Sequence, residues 1–119
     1  MNPDRTLLFA AGLLGAAGVA LSAAAAHAGG GNIATAANFL LFHAPAFLAL
    51  GLFAAGAGKV LRAGGWILLV GVLLFSGDLL ARHYLGDRLF PMAAPSGGTL
   101  MILGWLVIAA SAFAQPRNS

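Results

Sequence analysis

The chain has 119 residues, of which 61% are hydrophobic and only 8% are charged, with a formal net charge of +3. A soluble monomer needs a far more charged surface than this, so the composition excludes a water-exposed globular protein. The chain has no cysteine, which excludes disulfides and thiol chemistry, and its six basic residues are too scattered to form a nucleic-acid-binding patch.

Four apolar segments predict four transmembrane helices. Each is about 17–21 residues long, roughly the length that crosses a bilayer at about 1.5 Å of rise per residue. The predicted helices cover residues 6–26, 36–56, 63–81 and 98–114. Because only short connections remain, we expect residues 1–119 to form a single integral membrane domain, an all-α bundle of four transmembrane helices with short loops.

The first segment also has the features of a secretory signal peptide. Arg5 precedes the apolar run, and Ala26-His27-Ala28 fits a small-x-small cleavage site. The apolar run is about 20 residues long, however, whereas the hydrophobic region of a signal peptide usually has about 7–15. We therefore interpret the segment as the first transmembrane helix, with cleavage as the alternative.

Small residues predict the surfaces on which the helices pack closely. A glycine, alanine or serine lets a neighbouring backbone approach, and residues three or four apart share one helix face. We assign this role to Gly15, Gly18 and Ser22 in the first helix, Gly77 in the third and Gly104 in the fourth.

Glycine and proline also predict breaks between and within the helices. Residues 29–32, Gly-Gly-Gly-Asn, indicate a flexible turn after the first helix. Pro45 predicts a kink in the second helix, because proline lacks the N–H that would bond the carbonyl of Leu41. A close turn before the fourth helix is predicted at Pro95, Gly97 and Gly98.

The distribution of basic residues predicts the orientation of the chain. The side of the termini holds Arg5, Lys59, Arg62 and Arg117, and the other side holds Arg82 and Arg88. Cytoplasmic loops carry the excess of Lys and Arg, so we expect both termini in the cytoplasm. The opposite, periplasmic half then receives polar side chains from three helices: His27, Asn38, His43, Asp78, Arg82 and His83.

Asp78 is the one formal charge inside the four predicted spans, and it has two interpretations. A charge at the bilayer centre costs roughly 2.5–3.5 kcal/mol, which makes it a functional candidate. In the structural interpretation, Asp78 pairs with Arg82 one helical turn later, and Arg82 reaches the headgroups. In the functional interpretation, a polar cluster that binds a ligand or handles protons is formed by His27, His43, Asp78 and Arg82.

Two histidines and a carboxylate would also suit zinc, copper or iron. No two of these residues have a local spacing, such as His-x-x-x-His, that would fix the geometry of a metal site. We therefore predict no metal and no other cofactor.

Several short motifs have a recognisable pattern: Phe75-Ser76-Gly77, the run Ala94-Pro95-Ser96-Gly97-Gly98, Gly104-Trp105, and the histidines His27 and His43. With these motifs the chain resembles the YgdD-like family of small inner-membrane proteins, whose function is unknown. The resemblance implies four transmembrane helices, argues against signal cleavage and implies no activity. In one departure, this chain has Asp78 where the family usually has serine or threonine. In another, an alanine run at 23–26 replaces glycine and phenylalanine.

Two functions remain open, and an enzyme is not expected because the sequence has no phosphate loop, nucleophile–base pair or paired carboxylates. The first is an accessory or assembly subunit of the bacterial inner membrane that packs against a larger membrane protein. The second is a ligand-binding or proton-handling protein that uses the polar cluster. The lipid bilayer is an expected partner, but the sequence does not identify the larger membrane protein, and it leaves the oligomeric state open.

Overall fold

A computed structural model of the chain describes residues 4–53 and 58–114, and it contains four helices. Their bounds are Arg5–Ala28 for α1, Gly31–Phe53 for α2, Gly58–Tyr84 for α3 and Ala93–Ala114 for α4. Each helix is long and apolar enough to cross a membrane. The predicted all-α bundle of four transmembrane helices is therefore confirmed.

Three helices begin earlier than their apolar segments do. Helix α2 begins at Gly31 rather than at residue 36, α3 at Gly58 rather than at 63, and α4 at Ala93 rather than at 98. Hydropathy marks the part of a helix that lies in hydrocarbon, whereas the helix itself continues into the headgroup layer. The turn after α1 is accordingly reduced to Gly29 and Gly30, which have φ angles of 74° and 111°.

The close turn expected at Pro95, Gly97 and Gly98 is corrected by the structure, which places these residues inside α4. Proline is compatible with the first turn of a helix, because its missing N–H would have no helical partner there. The chain reverses instead in residues 85–92, before α4 begins.

The helices run antiparallel and pack in chain order, α1 on α2, α2 on α3 and α3 on α4. Within the described residues, no Cα atom of α4 lies within 8 Å of α1 or α2, and none of α1 lies within 8 Å of α3. In the 18-residue apolar stretch of α3, half of the residues are buried, whereas in those of α1 and α4 only 22% are. The shared core consists of Leu7, Ala11, Leu14, Leu40, Phe47, Leu68, Leu69, Val72 and Met101.

Glycines bring α3 and α4 into backbone contact. A Cβ atom added at Gly97 would lie 2.5 Å from the backbone nitrogen of Phe75, and one at Gly71 would lie 2.7 Å from that of Met101. At Gly104 the corresponding distance, to the backbone nitrogen of Leu68, is 2.8 Å. No side chain fits at these positions, so the α3–α4 contact depends on glycine.

The other predicted packing residues have different surroundings. A Cβ atom at Gly18 would lie 2.7 Å from the Leu41 side chain on α2, whereas one at Gly15 would make an ordinary contact of 3.7 Å with Ala44. At Gly77 the nearest atom, also at 3.7 Å, belongs to Leu89, which follows α3 rather than lying in a neighbouring helix. Ser22 is half-buried.

Adjacent glycines in α4 provide a matched test of this packing. We expect Gly97→Ala to lower the free energy of unfolding by about 1–3 kcal/mol, because the new methyl group meets backbone that has to move. Gly98→Ala should leave stability unchanged or raise it by up to about 1 kcal/mol, since alanine favours the helix and no atom lies within 4 Å of the new Cβ. Thermal unfolding in detergent, followed by circular dichroism, measures both, and equal effects would contradict the assignment.

Candidate functional site

Asp78 is fully buried, and both of its carboxylate oxygens have partners. Oδ2 accepts a hydrogen bond of 3.0 Å from Arg82 Nε, and Oδ1 accepts one of 2.7 Å from the backbone N–H of Leu89. The Arg82 side chain is 39% exposed, so its terminal nitrogens reach the surface. Charge-assisted hydrogen bonds of this kind offset the cost of burying a carboxylate. Asp78 therefore anchors the segment 85–92 to the end of α3.

His43 lies near the middle of α2, is buried, and is also fully hydrogen-bonded. Its Nδ1 is 2.8 Å from the carbonyl oxygen of Phe39, and its Nε2 is 3.2 Å from Nε1 of Trp105 in α4. An indole N–H can only donate, so Nε2 accepts that bond. Nδ1 then carries the proton and donates to Phe39. The hydrogen bonds thus assign the tautomer and join α2 to α4.

The predicted polar cluster is only partly assembled. Asp78 and Arg82 form an ion pair, while His43 has separate partners, Phe39 and Trp105. His27 is exposed in the last turn of α1. Within residues 4–53 and 58–114, no three His, Asp or Glu side chains are placed to hold a metal ion.

The two other polar residues expected in this half are also placed apart. Asn38 is exposed on α2. The half-buried ring of His83 packs edge-on against Tyr84, with ring centroids 4.6 Å apart, and it approaches the backbone at Gly30. The His83 ring therefore lies between the end of α3 and the α1–α2 turn.

Sequence reasoning missed the role of Asp4 at the other end of the bundle. Its Oδ1 caps α1 by accepting hydrogen bonds of 3.0 and 3.2 Å from the N–H groups of Thr6 and Leu7. Its own N–H donates to the carbonyl of Gly51, and its Oδ2 lies 3.4 Å from Arg62 Nη2. Aspartate just before an apolar periodic run is a helix-start signal, which would have identified the cap but not the contacts with α2 and α3.

Sequence reasoning also missed a crevice of about 320 Å³ beside His43, which we call the aromatic crevice. It is open on one side and is lined by Phe39, His43, Phe75, Gly98, Met101, Ile102 and Trp105. The rings of Phe39 and Phe75 pack with centroids 4.8 Å apart, and those of His43 and Trp105 with centroids 5.7 Å apart. The separate positions of these aromatic residues in the sequence gave no signal that they meet.

A second crevice, of about 350 Å³, lies between α1 and α2 and is purely aliphatic in its side chains. We call it the aliphatic crevice, and its lining consists of Leu8, Ala11, Gly12, Leu41, Ala44, Pro45 and Leu48. The two crevices are therefore similar in size but differ in chemistry.

Two substitutions at Asp78 separate its two hydrogen bonds. Asp78→Ala removes both and should cost about 1–3 kcal/mol of unfolding free energy, because the Leu89 N–H loses its buried acceptor. Asp78→Asn keeps one acceptor oxygen for Leu89, while Arg82 can turn to the surface, so it should cost less. Hydrogen exchange at the Leu89 amide should accelerate in Asp78→Ala and remain slow in Asp78→Asn. Fast exchange in both variants would contradict the anchoring role.

The His43 tautomer can be tested by nitrogen NMR of labelled histidine. We expect the Nδ1 signal to be that of a protonated nitrogen and the Nε2 signal that of an unprotonated one. Trp105→Phe removes the donor to Nε2 and should shift the Nε2 signal selectively. The exposed His27 serves as the control, because its signals should not change, and an unshifted Nε2 would contradict the hydrogen bond.

With the geometry established, known proteins provide a comparison. A family described as "Protein of unknown function (DUF423)" matches residues 14–98. The UPF0382 membrane protein of Haemophilus influenzae is 36% identical over 81 residues, which cover 68% of this chain and 65% of the relative. The UPF0382 membrane protein SH2409 of Staphylococcus haemolyticus is 31% identical over 78 residues, covering 66% of this chain and 64% of the relative.

A third relative, the UPF0382 membrane protein SERP0230 of Staphylococcus epidermidis, is 32% identical over 73 residues, or 61% of this chain and 60% of the relative. The chain thus spans somewhat less than two thirds of the length of these relatives. No solved structure matches it significantly. The resemblance inferred from the sequence is confirmed, and the chain belongs to the DUF423 family of membrane proteins, whose function is unknown.

Proposed function

We propose that this protein is a non-enzymatic accessory or assembly subunit that packs against a larger protein of the bacterial inner membrane. In this proposal both termini are cytoplasmic, as the excess of Lys and Arg on their side indicates. The observation that carries the proposal is the uneven burial of the helices. Within residues 4–53 and 58–114, helices α1 and α4 each pack on a single neighbour and keep most of their apolar surface uncovered.

The two buried ionisable groups within the spans support the same conclusion. Asp78 and His43 are both buried, and every hydrogen-bonding atom of these two side chains has a partner within the chain. A general acid, a base or a metal ligand needs an atom that is free to meet a substrate or ion. In the structure these groups hold helices and a loop in place, and a ligand reaches His43 Nε2 only by displacing the Trp105 indole.

The exposed face of α4 is suited to packing against another transmembrane helix. It presents large apolar side chains beside small ones, and Ile102, Leu103, Leu106 and Phe113 are among the most exposed. Helices associate in lipid through such close van der Waals packing rather than through the hydrophobic effect.

The alternative function, a shared ligand or proton site of His27, His43, Asp78 and Arg82, has less support. Such a site needs these side chains to converge on one ligand or on one proton path. Their hydrogen bonds go to different partners, and His27 is exposed at the end of α1. We therefore favour the accessory subunit.

Photo-crosslinking tests the proposal at native expression levels. A photoreactive amino acid replaces Leu106, which is 62% exposed on α4. We expect irradiation of cells to produce one discrete adduct, larger than the chain, that contains a different membrane protein. The same reagent at Leu68, which is fully buried on α3, should give no such adduct.

Two differently tagged copies of the chain, expressed together, identify adducts between copies. A crosslink from Leu106 only to the second copy, or only to lipid, would contradict the accessory role. Leu13, which is 54% exposed on α1, provides an independent probe of the other edge helix.

A further inference from the structure

The aromatic crevice lies where α2 and α4 face each other without backbone contact. Within the described residues, no Cα atoms of these two helices lie within 8 Å, and the His43–Trp105 hydrogen bond spans the gap. Both residues are near the middle of their helices, so the crevice lies at the depth of the hydrocarbon. Its open side gives a lipid-soluble molecule access from within the bilayer.

Gly98 indicates that the open volume of the aromatic crevice is itself a feature of the fold. A glycine inside a helix costs about 1 kcal/mol relative to alanine, and the other α4 glycines offset that cost by close contact with α3. Gly98 makes no such contact, because a Cβ atom there would have no neighbour within 4 Å. It lines the aromatic crevice, where its missing side chain leaves the space open.

The lining of the crevice is chemically specific. The rings of Phe39, Phe75 and Trp105 offer faces and edges on which a flat ring can stack, at centroid distances of about 4.5–7 Å. In addition, Trp105 Nε1–H and His43 Nε2 lie at the crevice, where they bond to each other and leave almost no polar surface. A ligand reaches this donor and this acceptor only by replacing their mutual bond, and Trp105 is 44% exposed, which leaves its indole room to turn.

We propose that the aromatic crevice binds the ring of a lipid-soluble quinone or quinol. The ring stacks among Phe39, Phe75 and Trp105, and its polar groups replace the Trp105–His43 hydrogen bond. A carbonyl of the quinone accepts from the Trp105 indole N–H, whereas a hydroxyl of the quinol donates to His43 Nε2. A volume of about 320 Å³ holds a single substituted ring, while an apolar tail extends through the open side into the bilayer. The site involves binding only, and it does not depend on a protein partner.

The test uses Trp105 as its own reporter, because quinones quench tryptophan fluorescence. The chain has two tryptophans, so Trp66→Phe leaves Trp105 as the single emitter. This protein, in phosphatidylcholine nanodiscs, is titrated with a short-chain ubiquinone. We expect saturable quenching, whereas random collisions within the bilayer give quenching that rises linearly.

Matched glycine variants in the same background locate the site. Gly98→Leu fills the aromatic crevice and should abolish the saturable component. Gly12→Leu fills the aliphatic crevice, is equally free of neighbours within 4 Å, and should leave that component unchanged. Quinol binding is measured as displacement of the ubiquinone by its reduced form. His43→Phe keeps a ring but removes the acceptor, and it should raise the quinol concentration needed for displacement by up to about tenfold, the effect of losing one hydrogen bond.

Three results would overturn the proposal. The first is quenching that stays linear with ubiquinone concentration, and the second is saturable quenching that survives Gly98→Leu. The third is displacement of the quinone by decylbenzene at equal membrane concentration. That result would mean that the crevice binds any apolar chain or ring and has no preference for a quinone. Crosslinking from Leu106 tests the accessory role and fluorescence quenching tests the quinone site, so either proposal can fail without the other.

Discussion

The position of α4 depends on the glycine contact with α3. Gly71, Gly97 and Gly104 let the two backbones meet without intervening side chains, and this contact determines how deep and at what angle α4 lies against the bundle. Trp105 follows Gly104 directly, so the same contact brings its indole to His43 on α2. Without it, α2 and α4 would have no common boundary, and the aromatic crevice would have no wall on the α4 side.

The bilayer imposes the second constraint. A buried polar group finds no water there and needs a hydrogen-bond partner within the protein. For Asp78 and His43 the chain supplies partners of its own, whereas the buried Ser76 hydroxyl has no hydrogen-bond partner among the described residues. Asp78 uses Arg82 one turn away and the N–H of Leu89, while His43 uses the carbonyl of Phe39 one turn earlier. The His43–Trp105 bond is different, because it joins two helices whose backbones do not touch. Its two partners can therefore separate without unfolding either helix.

The fold was predictable from the sequence, whereas much of the candidate site was not. Four long apolar runs determine the number and type of the helices, and the i, i+4 spacing predicts that Asp78 and Arg82 are neighbours. The pairing of His43 with Trp105 spans 62 residues and depends on how α4 is rotated, which no local pattern encodes. Hydropathy likewise missed the first turns of α2, α3 and α4, because helical structure there continues outside the hydrocarbon.

Several of the residues that carry the family resemblance meet where α3 packs on α4, although His27 lies apart at the end of α1. The backbone of Phe75 faces Gly97, its ring packs on Phe39 in the aromatic crevice, and Gly104-Trp105 provides the next contact along α4. Asp78 lies outside the crevice lining and anchors the segment before α4 instead. The α3–α4 contact and its aromatic crevice therefore unite residues that lie far apart in the sequence, whereas the Asp78–Arg82 pair stabilises the segment before α4 separately.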